Sequence, residues 1–193
     1  MLHSLKERFD REDEGFTLIE LMVVVLIIAI LLAIAIPTFL GARNAANARS
    51  AQSDLRNALT AEQTYWTNNQ GWDTTPAAGT AGSVAATETA LNWVSGAAAA
   101  VKPGNSVLVS GADVTANNGV LLIAAAKDGH CYGIEAIDQP VAGAQPAGTY
   151  YYDSGNSTAN GAGCTITQVP VLGTNAIVTG SAAANATHWS TTF

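Results

Sequence analysis

The chain enters its most apolar stretch through Gly15-Phe16-Thr17-Leu18-Ile19-Glu20, which is followed at once by sixteen uninterrupted apolar residues, Leu21–Ile36. Between Phe16 and Leu40 the only ionisable residue is Glu20. A carboxylate at membrane depth costs about 2.5–3.5 kcal/mol on insertion scales, so it needs a cationic partner that this stretch does not contain. A cut after Gly15 would supply that partner, because Phe16 would then carry a free α-amino group close to Glu20.

These residues resemble the N-terminal segment of the type IV pilins and the related pseudopilins, the subunits of bacterial filament machines. The resemblance rests on Gly15–Glu20, on the apolar run behind it and on Pro37 within the apolar segment. It implies that a membrane aspartic peptidase cuts between Gly15 and Phe16 and methylates the new N-terminus, so that N-methyl-Phe16 is the first mature residue. The Glu20 carboxylate would then pair with a Phe16 amine of the same or a neighbouring subunit during assembly.

The apolar stretch is long enough to cross a membrane, for which about 20 apolar residues suffice. The alternative interpretation is an ordinary secretory signal with a basic leader and a cut after Ala35. Two features oppose it: Glu20 would be an unexplained cost in such a signal, and Pro37 would lie close to the new terminus. The basic residues of the leader favour a cytoplasmic N-terminus.

The segment behind the apolar run has the pattern of an amphipathic helix. Leu55, Leu59 and Trp66 fall on one stripe with a period of about 3.6 residues, while Asp54 is expected to turn outward. Phe16–Trp66 is therefore predicted to form one helix, about 75 Å long at about 1.5 Å per residue.

Pro37 and Gly41 mark the place where this helix should bend or loosen. Proline removes an amide donor and crowds the carbonyl four residues earlier, which costs about 3 kcal/mol in a helix interior. From the residues alone this predicts a kink. The resemblance implies more, because in pilus filaments the helix commonly melts around the matching proline.

The remaining chain predicts a small sheet packed on the amphipathic helix. Asn68 to about Lys102 reads as a long variable connection with little buried area and a short helix near Thr87–Ser95. Beyond Thr165 the tail has two strand-like pieces, and the sequence leaves their place open. The predicted strands are Val107–Ser110, Val120–Ala126, Cys131–Ile137 and Thr149–Asp153, the hairpin turns Asn117-Asn118-Gly119 and Asp128-Gly129, and the tail pieces Ile166–Leu172 and Ala176–Val178.

The two cysteines, Cys131 and Cys164, both follow the membrane segment and are most simply read as one disulfide. It would close a loop of about 34 residues and contribute about 3.5–4 kcal/mol in the chain-entropy estimate. The alternative is two free thiols in a cytosolic protein. The fold class is therefore α+β: a long N-terminal helix on a small antiparallel sheet, with a disulfide-closed C-terminal region.

Charge and side-chain chemistry argue against several classes of function. Beyond Trp66 the sequence has seven acidic residues and only two cations, Lys102 and Lys127, so nonspecific attraction to nucleic acid is not expected. His3, His130 and His188 are isolated and have no metal-ligand or nucleophile spacing. We therefore expect no enzyme activity, no cofactor and no metal.

The predicted organisation is a leader at 1–15, a transmembrane and filament-core helix at 16–40, an amphipathic helix at 41–66 and a globular head at 67–193. The resemblance implies a structural pilin subunit, a single-pass precursor in the cytoplasmic membrane that becomes part of an extracellular filament. Its implied partners are other copies of itself, a prepilin peptidase and N-methyltransferase, an assembly ATPase and an inner-membrane platform. The alternatives are a pseudopilin of a type II secretion or DNA-uptake system, which the disulfide and large head disfavour, and a single-pass surface protein that binds a ligand.

Overall fold

Two helices and six strands form the regular structure of the part of the chain described by the computed structural model, which covers residues 15–77, 80–96, 99–111, 119–138, 147–154, 163–166, 169 and 188–190. The chain divides into two units, Met1–Arg43 and Asn44–Phe193. The elements are α1 (Leu18–Asn69), α2 (Val84–Thr87), β1 (Asn92–Ser95), β2 (Ser106–Gly111), β3 (Gly119–Ala125), β4 (Cys131–Ile137), β5 (Gly148–Asp153) and β6 (His188–Ser190).

The long helix predicted from the sequence is confirmed. It begins two residues later than predicted and continues to Asn69 instead of Trp66. It ends where Gln70 adopts a positive φ of 54°, while the Gln70 N–H still donates to the Trp66 carbonyl at 2.7 Å. A left-handed residue just after the last turn is a common helix stop. The helix runs without interruption through Pro37 and Gly41, so melting at these residues stays a prediction about the filament.

The sheet is larger than the three or four antiparallel strands predicted. Its six strands follow the order β1-β2-β3-β4-β5-β6, and all neighbours are antiparallel except β1 and β2, which are parallel. Strands β2 to β5 lie within one residue of the predicted ranges. The antiparallel pairings β2–β3 and β3–β4 are confirmed, and so is the turn at Asp128-Gly129. Gly119, predicted to lie in the first turn, is instead the first residue of β3, where it pairs with Ile137; 117–118 and most of the predicted tail strands lie outside the described residues.

The short helix predicted near Thr87–Ser95 is misplaced. The helix is α2, Val84–Thr87, and Asn92–Ser95 is strand β1 instead. Tertiary contacts account for this: the Asn92 N–H donates to the Asn105 carbonyl at 2.8 Å, and Trp93 Nε1 donates to the Glu88 carbonyl at 2.9 Å. The connection also buries more than expected, because its side chains Trp72, Val84 and Leu91 are all in the core.

One face of the sheet packs against α1. Leu55 and Leu59 lie on the predicted apolar stripe and are buried against strands β2, β3 and β4. Trp66 is half-buried beside this core, and its ring lies 6.3 Å from that of Trp72. The inward residues of this face are Val107, Val109, Val120, Leu122, Ala124, Tyr132, Ile134 and Ala136.

The opposite face of the sheet is buried as well, which the sequence analysis did not predict. Trp189 in β6 is fully buried, and its ring lies 5.4 Å from that of Tyr152 in β5. Val169 approaches Gly133 so closely that a Cβ atom there would meet Val169 Cγ1 at 2.6 Å. Because both faces are covered, every residue of β3 is buried, whereas a strand with one solvated face alternates apolar and polar residues.

A buried polar network joins α1 to the connection that follows it. Glu62 is fully buried, and its Oε2 accepts a hydrogen bond from the Asp73 N–H at 3.2 Å. The Asp73 carboxylate accepts hydrogen bonds from the Ser83 hydroxyl at 2.7 Å and from the Val84 N–H at 2.9 Å, at the start of α2. Burial raises the pKa of the Glu62 carboxyl to about 8; the Asp73 N–H opposes this rise and the Asp73 charge adds to it.

This geometry predicts that Glu62 makes the head less stable as pH rises. Glu62 keeps its proton in the folded state at pH values where the unfolded chain has lost it, so the free energy of unfolding should fall by up to about 1.4 kcal/mol per pH unit. The decline should run from the ordinary value of 4.5 to about 8 and stop above it. Glu62→Gln keeps an acceptor for Asp73 and cannot ionise, so it should remove this pH slope and be more stable than the unaltered chain at pH 8.

Urea unfolding of the Glu62→Gln chain at several pH values measures this effect. The exposed neighbour supplies the matched control, because Gln63→Glu adds a carboxyl in water and should leave the slope unchanged. Equal pH slopes for the Glu62→Gln and unaltered chains would contradict the prediction.

Candidate functional site at the start of the long helix

The predicted cleavage site lies in exposed, non-helical chain directly before α1. Gly15, Phe16 and Thr17 are all exposed, and the helix begins at Leu18. No described atom lies within 4 Å of a Cβ built on Gly15, outside its two chain neighbours. The peptide bond after Gly15 is therefore open to a peptidase in this structure.

Glu20 caps the helix through Thr17. Its Oε2 accepts hydrogen bonds from the Thr17 N–H at 2.9 Å and from the Thr17 hydroxyl at 2.7 Å, while Thr17 Oγ1 accepts from the Glu20 N–H at 3.3 Å. This is a capping box, in which two otherwise unpaired donors of the first turn are satisfied reciprocally. The sequence analysis did not predict this role, although threonine followed three residues later by glutamate is a recognised signal for it.

The capping box places the Glu20 carboxylate next to the predicted cleavage site. Thr17 N already donates to it, and the Phe16 nitrogen is one residue earlier in the chain. Both capping bonds end on Oε2, so within the described residues Oε1 has no hydrogen bond. One oxygen of Glu20 is thus free to meet a second donor.

Behind Glu20, the part of α1 up to Leu40 exposes apolar side chains around its whole circumference. Each large apolar side chain from Phe16 to Leu40 is exposed, by 48% to 88%. The helix contains an 18-residue window with a mean hydropathy of 3.3, long and apolar enough to cross a membrane. Near Pro37 the Thr38 hydroxyl donates to the Ala35 carbonyl at 2.9 Å, which adds a side-chain bond to the helix backbone in this turn.

The sequence analysis did not predict that His130 and Asp153 of the head lie close together. His130 Nδ1 lies 3.0 Å from an oxygen of Asp153, and the His130 ring stacks on Tyr132 at 6.0 Å. The pair lies beside the predicted disulfide, which the structure confirms between Cys131 and Cys164. Among the described residues there is no group of three His, Cys, Asp or Glu side chains that could hold a metal ion.

Residues 11–36 match a family described as the prokaryotic N-terminal methylation motif. The segment is a type IV prepilin motif. It includes Gly15, Phe16 and Glu20, so the resemblance inferred from these residues is confirmed. The prepilin motif also favours processing at the glycine over a secretory signal cut after Ala35.

Two curated relatives extend the similarity. The chain is 44% identical over 59 residues to the type IV major pilin protein PilA of Myxococcus xanthus, which covers 31% of this chain and 27% of that protein. It is 41% identical over 68 residues to the type IV wide pilus major component PilA4 of Thermus thermophilus, which covers 35% of this chain and 52% of that protein. The matched part of the chain thus spans about a quarter of the length of the Myxococcus protein and about half of the length of the Thermus protein. No solved structure matches it significantly.

The motif and the relatives support a type IV pilin-like subunit. A long apolar N-terminal helix behind a prepilin motif fits a membrane-anchored precursor of a surface pilus. The cut after Gly15, the methylation of Phe16 and the role of Glu20 in assembly stay predictions, and so does the local melting of the helix at Pro37.

Proposed function

We propose that this chain is a structural subunit of a type IV pilus, with no enzyme activity of its own. It is inserted as a single-pass membrane precursor with a cytoplasmic N-terminus, cut between Gly15 and Phe16, methylated at Phe16 and polymerised through α1. The observation that carries the proposal is the junction of a prepilin motif with a helical segment whose large apolar side chains, from Phe16 to Leu40, are all exposed. Such a surface needs lipid before assembly and other helices after it.

Polymerisation replaces lipid contacts of α1 with contacts between the helices of neighbouring copies. The charge of Glu20 is costly in lipid, so it favours transfer of the subunit into the filament. Its cationic partner, a Phe16 amine, exists only after the leader is removed. The amine of a neighbouring copy would fix the axial register of each incoming subunit. Extraction from lipid requires work, which an assembly ATPase and an inner-membrane platform would supply.

The head would form the outer surface of the filament. Its sheet is buried on both faces and the Cys131–Cys164 disulfide holds its C-terminal region, as suits a protein outside the reducing cytosol. Electron microscopy of surface filaments tests the proposal against the two alternatives. A secretion pseudopilin or a monomeric ligand-binding protein would leave the cell surface without filaments of this chain.

The proposal makes a direct prediction about the mature N-terminus. Mass spectrometry of the surface protein should find methylated Phe16 as its first residue. Gly15→Val should block the cut without disturbing the fold, because the space around Gly15 is open. A mature chain that begins at Ile36 or later, or normal processing of Gly15→Val, would contradict the prediction.

A further inference from the structure

A polar groove lies between α1 and one end of the sheet, inside the Asn44–Phe193 unit. It has a volume of about 280 Å³, and its polar lining includes Asn47, Ser50 and Asp54 of α1, Asn105 before β2 and Lys127 after β3. Small-molecule pockets usually measure about 300–1,000 Å³ and are mostly apolar. The groove is therefore better suited to a side chain of another protein molecule than to a small apolar ligand.

Asp54 is the unusual residue of this groove. It is half-buried, and no residue in the described ranges donates a hydrogen bond to it or forms an ion pair with it. The other carboxylates of α1 each accept at least one hydrogen bond, Glu20 from Thr17 and Glu62 from the Asp73 N–H, although the buried Oε1 of Glu62 has no partner among the described residues. Burial raises the pKa of the Asp54 carboxyl, so the groove desolvates this charge without compensating it.

The surroundings of Asp54 favour a guanidinium as its missing partner. Asn105 Nδ2 donates to the Ala90 carbonyl at 2.6 Å, which leaves the Asn105 Oδ1 as an acceptor. Lys127 also lines the groove, and its positive charge opposes any cation there, so a cationic partner must form enough hydrogen bonds to outweigh this repulsion. A guanidinium, with five donors in a fixed fork, can bond to a carboxylate and to amide oxygens together.

The exposed arginines of α1 cannot reach Asp54 within their own copy. At about 100° and 1.5 Å per residue, Arg49 lies about 140° and Arg56 about 160° around the helix from Asp54. Arg43 is on nearly the same face as Asp54 but about 16 Å away along the axis, beyond the reach of its side chain. Arg49 is exposed and makes no hydrogen bond or ion pair with the described residues, whereas Arg56 already interacts within its own copy. One copy can therefore donate Arg49 to a neighbour from one surface, while the Asp54 groove on a different surface binds the arginine of another neighbour.

We propose that the Asp54 groove receives the Arg49 guanidinium of a second copy of this chain. The contact joins two different surfaces, and such a heterologous contact, when repeated without closing, builds a helical filament. The inference rests on the proposed pilus function and adds a contact between heads to the contacts of the apolar helices. The Asp54–Arg49 contact would determine which two heads of the filament lie next to each other.

Charge exchange in the full chain tests the pair. Asp54→Arg and Arg49→Asp should each lower the yield of surface filaments at least tenfold while the membrane pool of mature subunit stays normal. The double variant rebuilds the pair with exchanged signs and should return to within about threefold of the unaltered chain. Gln63→Arg, which adds an arginine at an exposed position of α1 outside the groove, should leave the yield unchanged.

Cysteine cross-linking gives a second readout that does not depend on yield. Cys131 and Cys164 are paired and buried, so introduced cysteines meet no native free thiol. An Asp–Arg pair holds its Cα atoms too far apart for a direct disulfide, so the two thiols are joined by a reductant-cleavable bis-thiol-reactive cross-linker. Filaments of Asp54→Cys/Arg49→Cys chains should then give a ladder of multimers, whereas Asp54→Cys alone should give none. The 140° separation prevents a disulfide within one copy.

The outcomes separate the inference from the proposed function. If the unaltered chain forms no filaments, both fail. If it forms filaments but the single charge reversals keep normal yields and the ladder is absent, the Asp54–Arg49 contact alone is wrong. A ladder obtained with Arg43→Cys or Arg56→Cys in place of Arg49→Cys would overturn the assignment of Arg49.

Discussion

Glu20→Ala is expected to remove filaments from the cell surface while mature subunit accumulates in the membrane. Removing the carboxylate makes α1 more apolar, so membrane insertion should be at least as favourable as before. The variant loses the attraction between Glu20 and a Phe16 amine. At about 4 Å and an effective dielectric constant near 20, such a pair is worth about 4 kcal/mol before desolvation. Even about 1.4 kcal/mol per subunit is tenfold in an equilibrium constant, so the yield should fall at least tenfold.

The capping box makes a sharper version of this experiment possible. Glu20 serves Thr17 as a hydrogen-bond acceptor as well as carrying a charge. Glu20→Gln keeps the acceptor and loses only the charge, and it should fail to assemble like Glu20→Ala. Ile19→Ala truncates an exposed neighbour without changing charge and serves as the control. Normal filaments from Glu20→Gln chains would show that capping, not charge, is the role of Glu20.

The features that the sequence predicted are those set by local chemistry. The unbroken apolar run and its 3.6-residue continuation determine α1, and the Asp128-Gly129 turn determines the hairpin between β3 and β4. Strand β1 was missed because it depends on distant partners. Asn92 pairs with Asn105 and Ser106, and no pattern within Asn92–Ser95 reports that pairing.

The second core, formed by Trp189, Tyr152 and Val169 on the face of the sheet away from α1, was missed for a similar reason. Trp189 covers the sheet from a segment far along the chain, and its polar neighbours give no apolar period. One sequence signal did exist: the apolar run in β3 lacks the alternation of a strand with one solvated face.

The candidate site was predicted in part. The processing motif and Glu20 are adjacent in sequence, so their chemistry can be inferred without a fold. The environment of Asp54 is different, because helical periodicity turns the residue outward while Asn105 and Lys127 enclose it from segments about 50 and 70 residues later. A period assigns a residue to a helix face but does not reveal what covers that face.

The Cys131–Cys164 disulfide is expected to supply about 4 kcal/mol of the stability of the head, because it closes a loop across 33 positions of sequence. The segment it holds is also tied by two backbone hydrogen bonds between Cys164 and Val101, at 2.7 and 2.8 Å. These bonds exist only in the folded state, whereas the disulfide also restricts the unfolded chain. Replacing both cysteines with alanine should therefore destabilise the head far more than removal of one hydrogen bond.

Guanidinium unfolding of the full chain in detergent measures this loss, with Ser154→Ala as the matched control. Ser154 Oγ accepts a hydrogen bond from the Cys131 N–H at 2.9 Å, so this variant disturbs the same corner while the disulfide stays intact. It should cost about 1 kcal/mol, against about 4 kcal/mol for the double alanine variant. The reduced unaltered chain should unfold at nearly the same midpoint as the double variant. If the double variant unfolded like Ser154→Ala, the packing of the second core around Trp189, and not the covalent link, would be what holds the C-terminal region to the sheet.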